Sequence, residues 1–400
     1  MIVKRIVFIN TFAWAGAHEM FDASLLLMCS KSAESVICRV NKSHYLAMKH
    51  VLRDSKLANV DLKEQLIIGG DKGILLLLRY IGGALLDWIN LFKTRKDDLI
   101  IMPFNNVFSL RGINLLNKIL KRKILVFCHG EMEFVVSNVN RRGILSRMLS
   151  FLCRNFFLNL NITFSDGIYF SVFGEKIKQN LAKFLSQDKI LKFVTLDHPY
   201  IFQQYDSIEN NTNLNKSINV LNIGTIGGMN LSKGMDKLLQ FAEKCKAINL
   251  NVKISHTGKI SVGRDKIIKN GSIDLPAVNK ELKREEYNAR INILDYLLFF
   301  YGCDNYKVTA SGAIMDAIVL RKPIISLRND YFEYIFEKFG CFGYLVDSVD
   351  QMVHLVDMIG QGKLVDKFDF DMIISSFLPE SLQDDFNLII KVVCPTQKNS

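Results

Sequence analysis

Proline is scarce in this chain, six in 400 residues, and charged residues make up 23% against 49% hydrophobic. That balance excludes collagen-like, low-complexity and disordered classes and leaves a globular protein with a sizeable core. The eight cysteines contain no CxxC pair and no His/Cys cluster at zinc-ligand spacing. They read as small core hydrophobes in a reducing compartment, with no disulfides expected. An uninterrupted apolar run of about 20 residues is also missing. The nearest approach, Ile74 to Phe92, is broken by Arg79, Asp87 and the Gly82-Gly83 pair, so it reads as a core helix, with bilayer contact as the alternative. The N-terminal MIVKRIVFIN is too short for a signal segment and looks like a first core strand, so a cytoplasmic location is expected. Neither GxGxxG nor GxxxxGK[ST] occurs, which counts against nicotinamide and P-loop enzymes. No RNP, zinc-finger or helix-turn-helix pattern supports a nucleic-acid partner. The single DxD, Asp369-Phe370-Asp371, sits in an apolar-alternating context near the C-terminus, and no metal is assigned to it.

What is present is length, charge and a doubled pattern. At 400 residues the chain exceeds the size of one ordinary core, so two domains are expected. The net charge of +11 favours anionic partners. Lys4-Arg5 leads into IVFIN, a small-residue loop and an amphipathic run, and Lys216-Ser217 leads into INVLNI, GTIGGMN and another. Each is the opening unit of a doubly wound α/β domain. Further short apolar runs lie at Leu99–Pro103, Lys123–Cys128, Gly167–Val172 and Lys192–Leu196, then at Asn251–His256, Leu294–Tyr301, Pro323–Leu327 and Gly343–Val346. Such runs imply parallel strands buried on both faces. The expected architecture is α/β, two tandem Rossmann-like domains facing each other across a cleft. Residues 1–205 form the first, the polar, Asn-rich 206–216 a linker, 217–375 the second, and 376–400 a C-terminal segment that packs back on the first.

In open parallel sheets, ligands bind beyond the carboxyl ends of the strands. That rule selects Gly224–Lys233, His256–Arg264 and Thr309–Gly312. In the first, Gly224, Gly227 and Gly228 let backbone approach a ligand, and Lys233 stands where a helix begins; a phosphate suits it, and so does a plain tight turn with a solvated lysine. In TASGAIMDAIVLRKPIIS, Ser311 can cap a helix whose first turn, Gly312-Ala313-Ile314, leaves N–H groups open to an anion. Asp316 lies one turn further in and needs a donor, either a protein group or a ligand hydroxyl.

The order of strand, GxxGG loop, Lys-Gly at a helix start, EEYNARINILDYLLFFY and SGAIMDAIVLRKPII resembles the donor-binding domain of GT-B-fold glycosyltransferases, in particular the bacterial family-4-like group that builds surface polysaccharides. The resemblance implies that Asp316 hydrogen-bonds a ribose, that Ser311 and Gly312 face the diphosphate or sugar, and that Lys233 binds the diphosphate. FCHGEMEFV (Phe127–Val135) resembles the family's cleft-facing segment, and LDHPY (Leu196–Tyr200) the piece before its interdomain linker. Two positions depart from the pattern. Thr225 stands where the family has an arginine, leaving Lys259 or Arg264 to replace it, and Val308 stands where the first acid of an E-x7-E pair would be, so the anomeric outcome stays open.

The resemblance implies no cofactor and no metal. The partners it implies are a nucleoside-diphosphate sugar and a glycan or lipid-linked acceptor. First-domain candidates for a catalytic base are His129, then Glu131 and His18, with Glu19, Asp22 and Glu133 nearby in sequence. The stretch 141–160 carries four arginines and no acid among Leu, Met and Phe. It reads either as a packing helix with a basic edge or as a peripheral contact with the inner face of the cell membrane. Alternatives to transfer are a GT-B-fold sugar-nucleotide epimerase and a silent nucleotide-sugar-binding scaffold.

Overall fold

The structure is a computed structural model that describes residues 3–14, 16, 18–53, 57–70, 72–136, 143–202, 220–280, 282–302, 306–364 and 367–395. The expected linker 206–216, Arg141 and Arg142 lie outside the described residues. The chain divides into two compact units. The first takes the described residues of Met1–Gln203, Val308–Ala310 and Ser376–Ser400, and the second those of Gln204–Lys307 and Ser311–Ser375.

In the first unit seven parallel strands, β1 (Val3–Ile9), β2 (Ala33–Val40), β3 (Val60–Glu64), β4 (Leu99–Met102), β5 (Lys123–Phe127), β6 (Ile168–Val172) and β7 (Phe193–Thr195), are ordered 3-2-1-4-5-6-7. The second holds six parallel strands, β8 (Leu221–Ile226), β9 (Val252–Thr257), β10 (Ile273–Asp274), β11 (Tyr296–Phe299), β12 (Ile324–Leu327) and β13 (Gly343–Val346), ordered 10-9-8-11-12-13. Central strands such as LIIM of β4 and IISL of β12 are buried at every position, as strands covered by helices on both faces must be. In each unit the strand order reverses beside the first strand, between β1 and β4 and between β8 and β11. This is the switch point at which open α/β sheets leave a crevice for ligands.

Three strands carry no advance signal. β2 follows its helix directly, with no Gly or Pro between Ser32 and Ala33, while β3 is an edge strand of mixed polarity and β10 has two residues. An edge strand pairs on one side only and needs no continuous apolar run. The C-terminal helix Gln383–Val393 packs within the first unit. It buries Phe386, Ile389, Ile390 and Val393, and Ser32 Oγ donates to Asn387 Oδ1 at 2.7 Å.

The run expected as a core helix behaves otherwise. Gly73–Phe92 is a 20-residue helix, but its buried face is Arg79, Gly83, Ala84, Asp87, Asn90 and Leu91, while Ile74, Leu78, Ile81, Leu85, Ile89 and Phe92 point outward. Polar side chains turn inward because the interior supplies partners. Arg79 Nε donates to the Phe12 carbonyl at 2.7 Å, Thr11 Oγ1 donates to Asp87 Oδ1 at 2.7 Å, and Asn90 Oδ1 accepts from Arg39 and Gln65.

Candidate functional site

At the carboxyl edge of the second sheet the β8 and β9 loops run side by side. The Gly227 N–H donates to Thr257 O at 2.9 Å, Met229 N–H to Lys259 O at 2.8 Å, and Ser261 N–H to Met229 O at 3.0 Å. Glycine makes this approach possible. At Gly258, φ +148°, an added Cβ would lie 2.1 Å from Gly227 O. Gly228 and Gly312 differ, because a Cβ on either would meet almost nothing, so both backbones border open space. Gly227 brings the loop to the first turn of the Gly312–Val319 helix, where its Cβ would stand 3.9 Å from that of Ala313. Gly224 is placed otherwise. It lies inside β8, where a Cβ would be 2.7 Å from Ser255 O, so its smallness serves the packing of β8 on β9.

Lys233 ends a single 3-10 turn, Leu231–Lys233, capped by Asn230, whose side chain accepts the Lys233 N–H at 3.0 Å. Its ammonium is half-buried, 5.9 Å from the centre of the Tyr301 ring, and burial lowers its pKa. Among the described residues no carboxylate pairs with it. Thr225 stands where the resemblance would place an arginine. It is buried, and its Oγ1 lies 2.8 Å from His256 Nδ1. Burial above all, then the positive charges of Lys233, Arg264 and Arg290, push His256 down to about 4. His256 Nε2 and Arg264 Nη1 are buried without hydrogen-bond partners among the described residues. Arg264 Nη2 donates to Pro276 O at 2.8 Å, and Lys259 joins the site through its carbonyl. Arg290 is paired with Asp274 at 3.0 Å, so Lys233 and Arg264 are the cations left to give this edge a positive potential, the field an oxyanion needs.

Beside these groups Ser311, itself buried, precedes the Gly312–Val319 helix. Tyr301, stacked on Tyr306 at 4.1 Å, is raised in pKa by burial, an effect that Ser311 and Tyr306 partly offset. Asp316 is partly exposed and has protein donors. Tyr287 Oη donates to Oδ2 at 3.0 Å and Arg284 to Oδ1 at 3.1 Å, both from the Arg284–Asn292 helix. Of the two kinds of donor expected for it, the protein kind is in place, and a carboxylate retains further lone pairs for a ligand hydroxyl.

The opposite, amino edge of the same sheet has a cavity of about 520 Å³. Its lining includes Asp295 and Asp357 and no Lys, Arg or His, which disqualifies it for phosphate. Of the two DxD carboxylates, Asp369 Oδ1 accepts the Met372 N–H at 3.0 Å and Asp371 pairs with Arg321. Both act locally, and among the described residues no group of three or more His, Cys, Asp or Glu gathers as a cation site.

The first unit presents rings and carboxyls instead. His129 and His198 pack with Phe21 and Phe173, and His18 with Phe104 and His129, the His18 and His129 ring centres 5.1 Å apart and those of His129 and Phe173 4.9 Å apart. A carbonyl only accepts, so His129 Nε2 carries the proton it donates to Pro103 O at 2.8 Å. Burial holds His129 well below the usual histidine range and His198 down to about 4. Glu131 Oε1 accepts the His129 N–H at 2.8 Å, yet burial pushes this carboxyl up to about 7. Asp22 is engaged elsewhere, buried and accepting from Asn10 Nδ2 at 2.6 Å with His44 Nε2 at 2.7 Å. Glu133 accepts the N–H of Val308, which belongs to the first unit, at 2.9 Å. His129, Glu131 and His18 are thus brought together, and Lys233, Gly227, Gly228, Ser311 and Gly312 likewise. His256 and Tyr287 had no sequence signal of their own beyond lying in flagged segments.

No family model matches the chain, and no curated protein matches it in sequence. Solved structures match in fold. Anabaena HepE in complex with UDP superposes with a TM-score of 0.58 at 10% identity, over 97% of this chain and all of its own. The same protein with UDP and glucose gives 0.58 at 11% identity, over 97% of this chain and 99% of its own. The α,α-trehalose 6-phosphate synthase of Burkholderia multivorans gives 0.58 at 10%, over 98% of this chain and 97% of its own. At such identities the likeness is one of fold, and the fold, two Rossmann-like α/β units in tandem, is that of the GT-B glycosyltransferases.

Proposed function

We propose that the chain is a glycosyltransferase that takes its sugar from a nucleoside-diphosphate donor and gives it to a hydroxyl of a glycan or lipid-linked glycan, in surface polysaccharide synthesis. The observation that carries the reading is Lys233, a half-buried ammonium with no carboxylate partner among the described residues, beside two glycines that border open space. Lys233 and Arg264 supply the countercharge for the diphosphate, helped by the N–H groups of Gly312 and Ala313, so the leaving group needs no metal. Asp316, held by Tyr287 and Arg284, takes the ribose hydroxyls. That HepE is solved with UDP and with UDP-glucose supports a nucleotide sugar as donor.

In the transfer, the acceptor oxygen bonds to the anomeric carbon as the bond from that carbon to the diphosphate oxygen breaks. The nucleoside diphosphate leaves, and the hydroxyl proton passes to a base. Glu131 is that base. A carboxyl raised to about 7 is matched to the working pH, whereas His129 beside it, held well below the usual histidine range by burial, is a poor proton acceptor. His129 positions it through its N–H, and His18 lines the same edge. The test is incubation with labelled UDP- and GDP-sugars, with and without cell-envelope acceptor. Acceptor-dependent release of nucleoside diphosphate supports the proposal, isomerised donor without acceptor points to an epimerase, and an inert donor set points to a binding scaffold.

A further inference from the structure

The outward stripe of Gly73–Phe92 is the largest feature this reading does not use. Ile74, Leu78, Ile81, Leu85, Ile89 and Phe92 are 66, 42, 39, 50, 47 and 61% exposed. At about 100° per residue they fall within one narrow arc, opposite Arg79, Gly83 and Asp87. Single exposed apolar residues are ordinary; a stripe along a helix of about 30 Å is not. The layer continues sideways. Trp88 Nε1 donates to Ser109 O at 3.0 Å and its ring lies against Gly112, which seats the Leu110–Leu120 helix alongside with Leu115 and Ile119 63 and 79% exposed. Arg111 then bonds Asn155 of the Ile144–Leu158 helix.

Charge decides what covers this layer. The three helices contain one acid, Asp87, and it is buried. Lys72, Lys93, Arg111 and Lys118 are exposed at the helix ends and sides, and among the described residues none of them is in an ion pair. A two-fold contact between copies would set these cations against one another. An anionic lipid surface receives both the apolar stripe and the cations.

We infer that the outward face of the Gly73–Phe92 helix, continued by Leu110–Leu120, docks the protein flat on an anionic phospholipid membrane, with the stripe at the boundary between headgroups and acyl chains. The helix lies on the surface and does not span it, because Arg79, Asp87 and Asn90 are committed to the protein interior. The basic stretch 141–160 reaches this layer at Asn155. Arg154 turns inward, donating to the carbonyls of Phe134 and Val135, and Arg147 is its one exposed described cation.

The test is sedimentation of the full chain with vesicles of phosphatidylcholine alone, or of phosphatidylcholine and phosphatidylglycerol in roughly equal parts, at low and high salt. Wild type is expected to pellet with the anionic vesicles and to be released in part by salt. Leu78→Glu/Leu85→Glu should weaken binding at least about tenfold at both salts, and Lys72→Glu/Lys118→Glu should weaken it at low salt only. Thermal melts of both variants serve as the folding control and are expected to match wild type, so failure here is separable from failure of the proposed activity. Wild type left in the supernatant overturns the inference, as does undiminished binding of the leucine variant. A wild-type dimer that this variant makes monomeric overturns it too, in favour of a second copy as the occupant.

Discussion

The carboxyl edges of the two sheets are built on one plan and carry opposite chemistry. Both lie where strand order reverses beside the first strand. In the second unit a histidine, His256, feels the positive charges of Lys233, Arg264 and Arg290, and among the described residues no carboxylate pairs with Lys233. In the first unit the histidines are surrounded by rings, and the nearby carboxyl, Glu131, is the group pushed toward neutral pH. The same fold therefore offers a positive field on one edge and a proton acceptor on the other. The difference arises at the strand ends and in the loops, where β8 and β9 carry Thr225 and His256 one residue from their ends, since the central strands beneath are apolar and buried in both units.

The comparison breaks at identifiable residues. Glu131→Gln removes the proton acceptor without touching the cations, so turnover should fall by about 10²- to 10⁴-fold while nucleotide affinity is unchanged, as read by donor consumption beside calorimetry. The wild-type rate should rise with pH through about 7, as the carboxyl ionises; a rate flat from pH 5 to 8 returns the role to a group such as His129. Lys233→Met should do the converse, weakening nucleoside-diphosphate binding by about 10- to 100-fold, the worth of a charge-assisted contact. Asp316→Asn should cost about tenfold or less, and for nucleotides but not for inorganic diphosphate, because its proposed partner is the ribose. The smallest effect is on stability. Burial raises Asp87 to about 7, so the unfolded chain ionises this group first, and stability should fall as pH rises from about 4 to 7. Asp87→Asn should flatten that part of the profile in thermal melts.

Asp87 and Asp316 also show what the sequence could tell. Each is a lone carboxylate in an apolar helical run. The position of Asp316 after Ser311 and Gly312 was legible, because local spacing places it one turn from the helix start. Its donors were not, since Tyr287 and Arg284 sit 29 and 32 residues away in a helix brought up by tertiary packing. For Gly73–Phe92 the amphipathic period was legible but its direction was not. Hydrophobicity favours the stripe inward, and only the partners of Arg79, Asp87 and Asn90, all outside the helix, reverse it. A signal was present in the spacing of Arg79, Gly83, Asp87 and Asn90, which share one face. Most strands with continuous apolar runs were located to within a residue or two, but β1 begins at Val3, ahead of IVFIN, and β8 runs on to Ile226, past INVLNI, while β2, β3 and β10 lacked such runs.

The proposal that the cations of the second unit hold a nucleoside diphosphate rests finally on one titration, UDP, GDP, CMP and dTDP in turn against wild type and Lys233→Met in a calorimeter. The expected result is saturable binding of at least one nucleoside diphosphate by wild type, weakened about tenfold or more in Lys233→Met while binding to anionic vesicles is kept. Absence of binding to all four by wild type, or equal affinity in Lys233→Met, would contradict it.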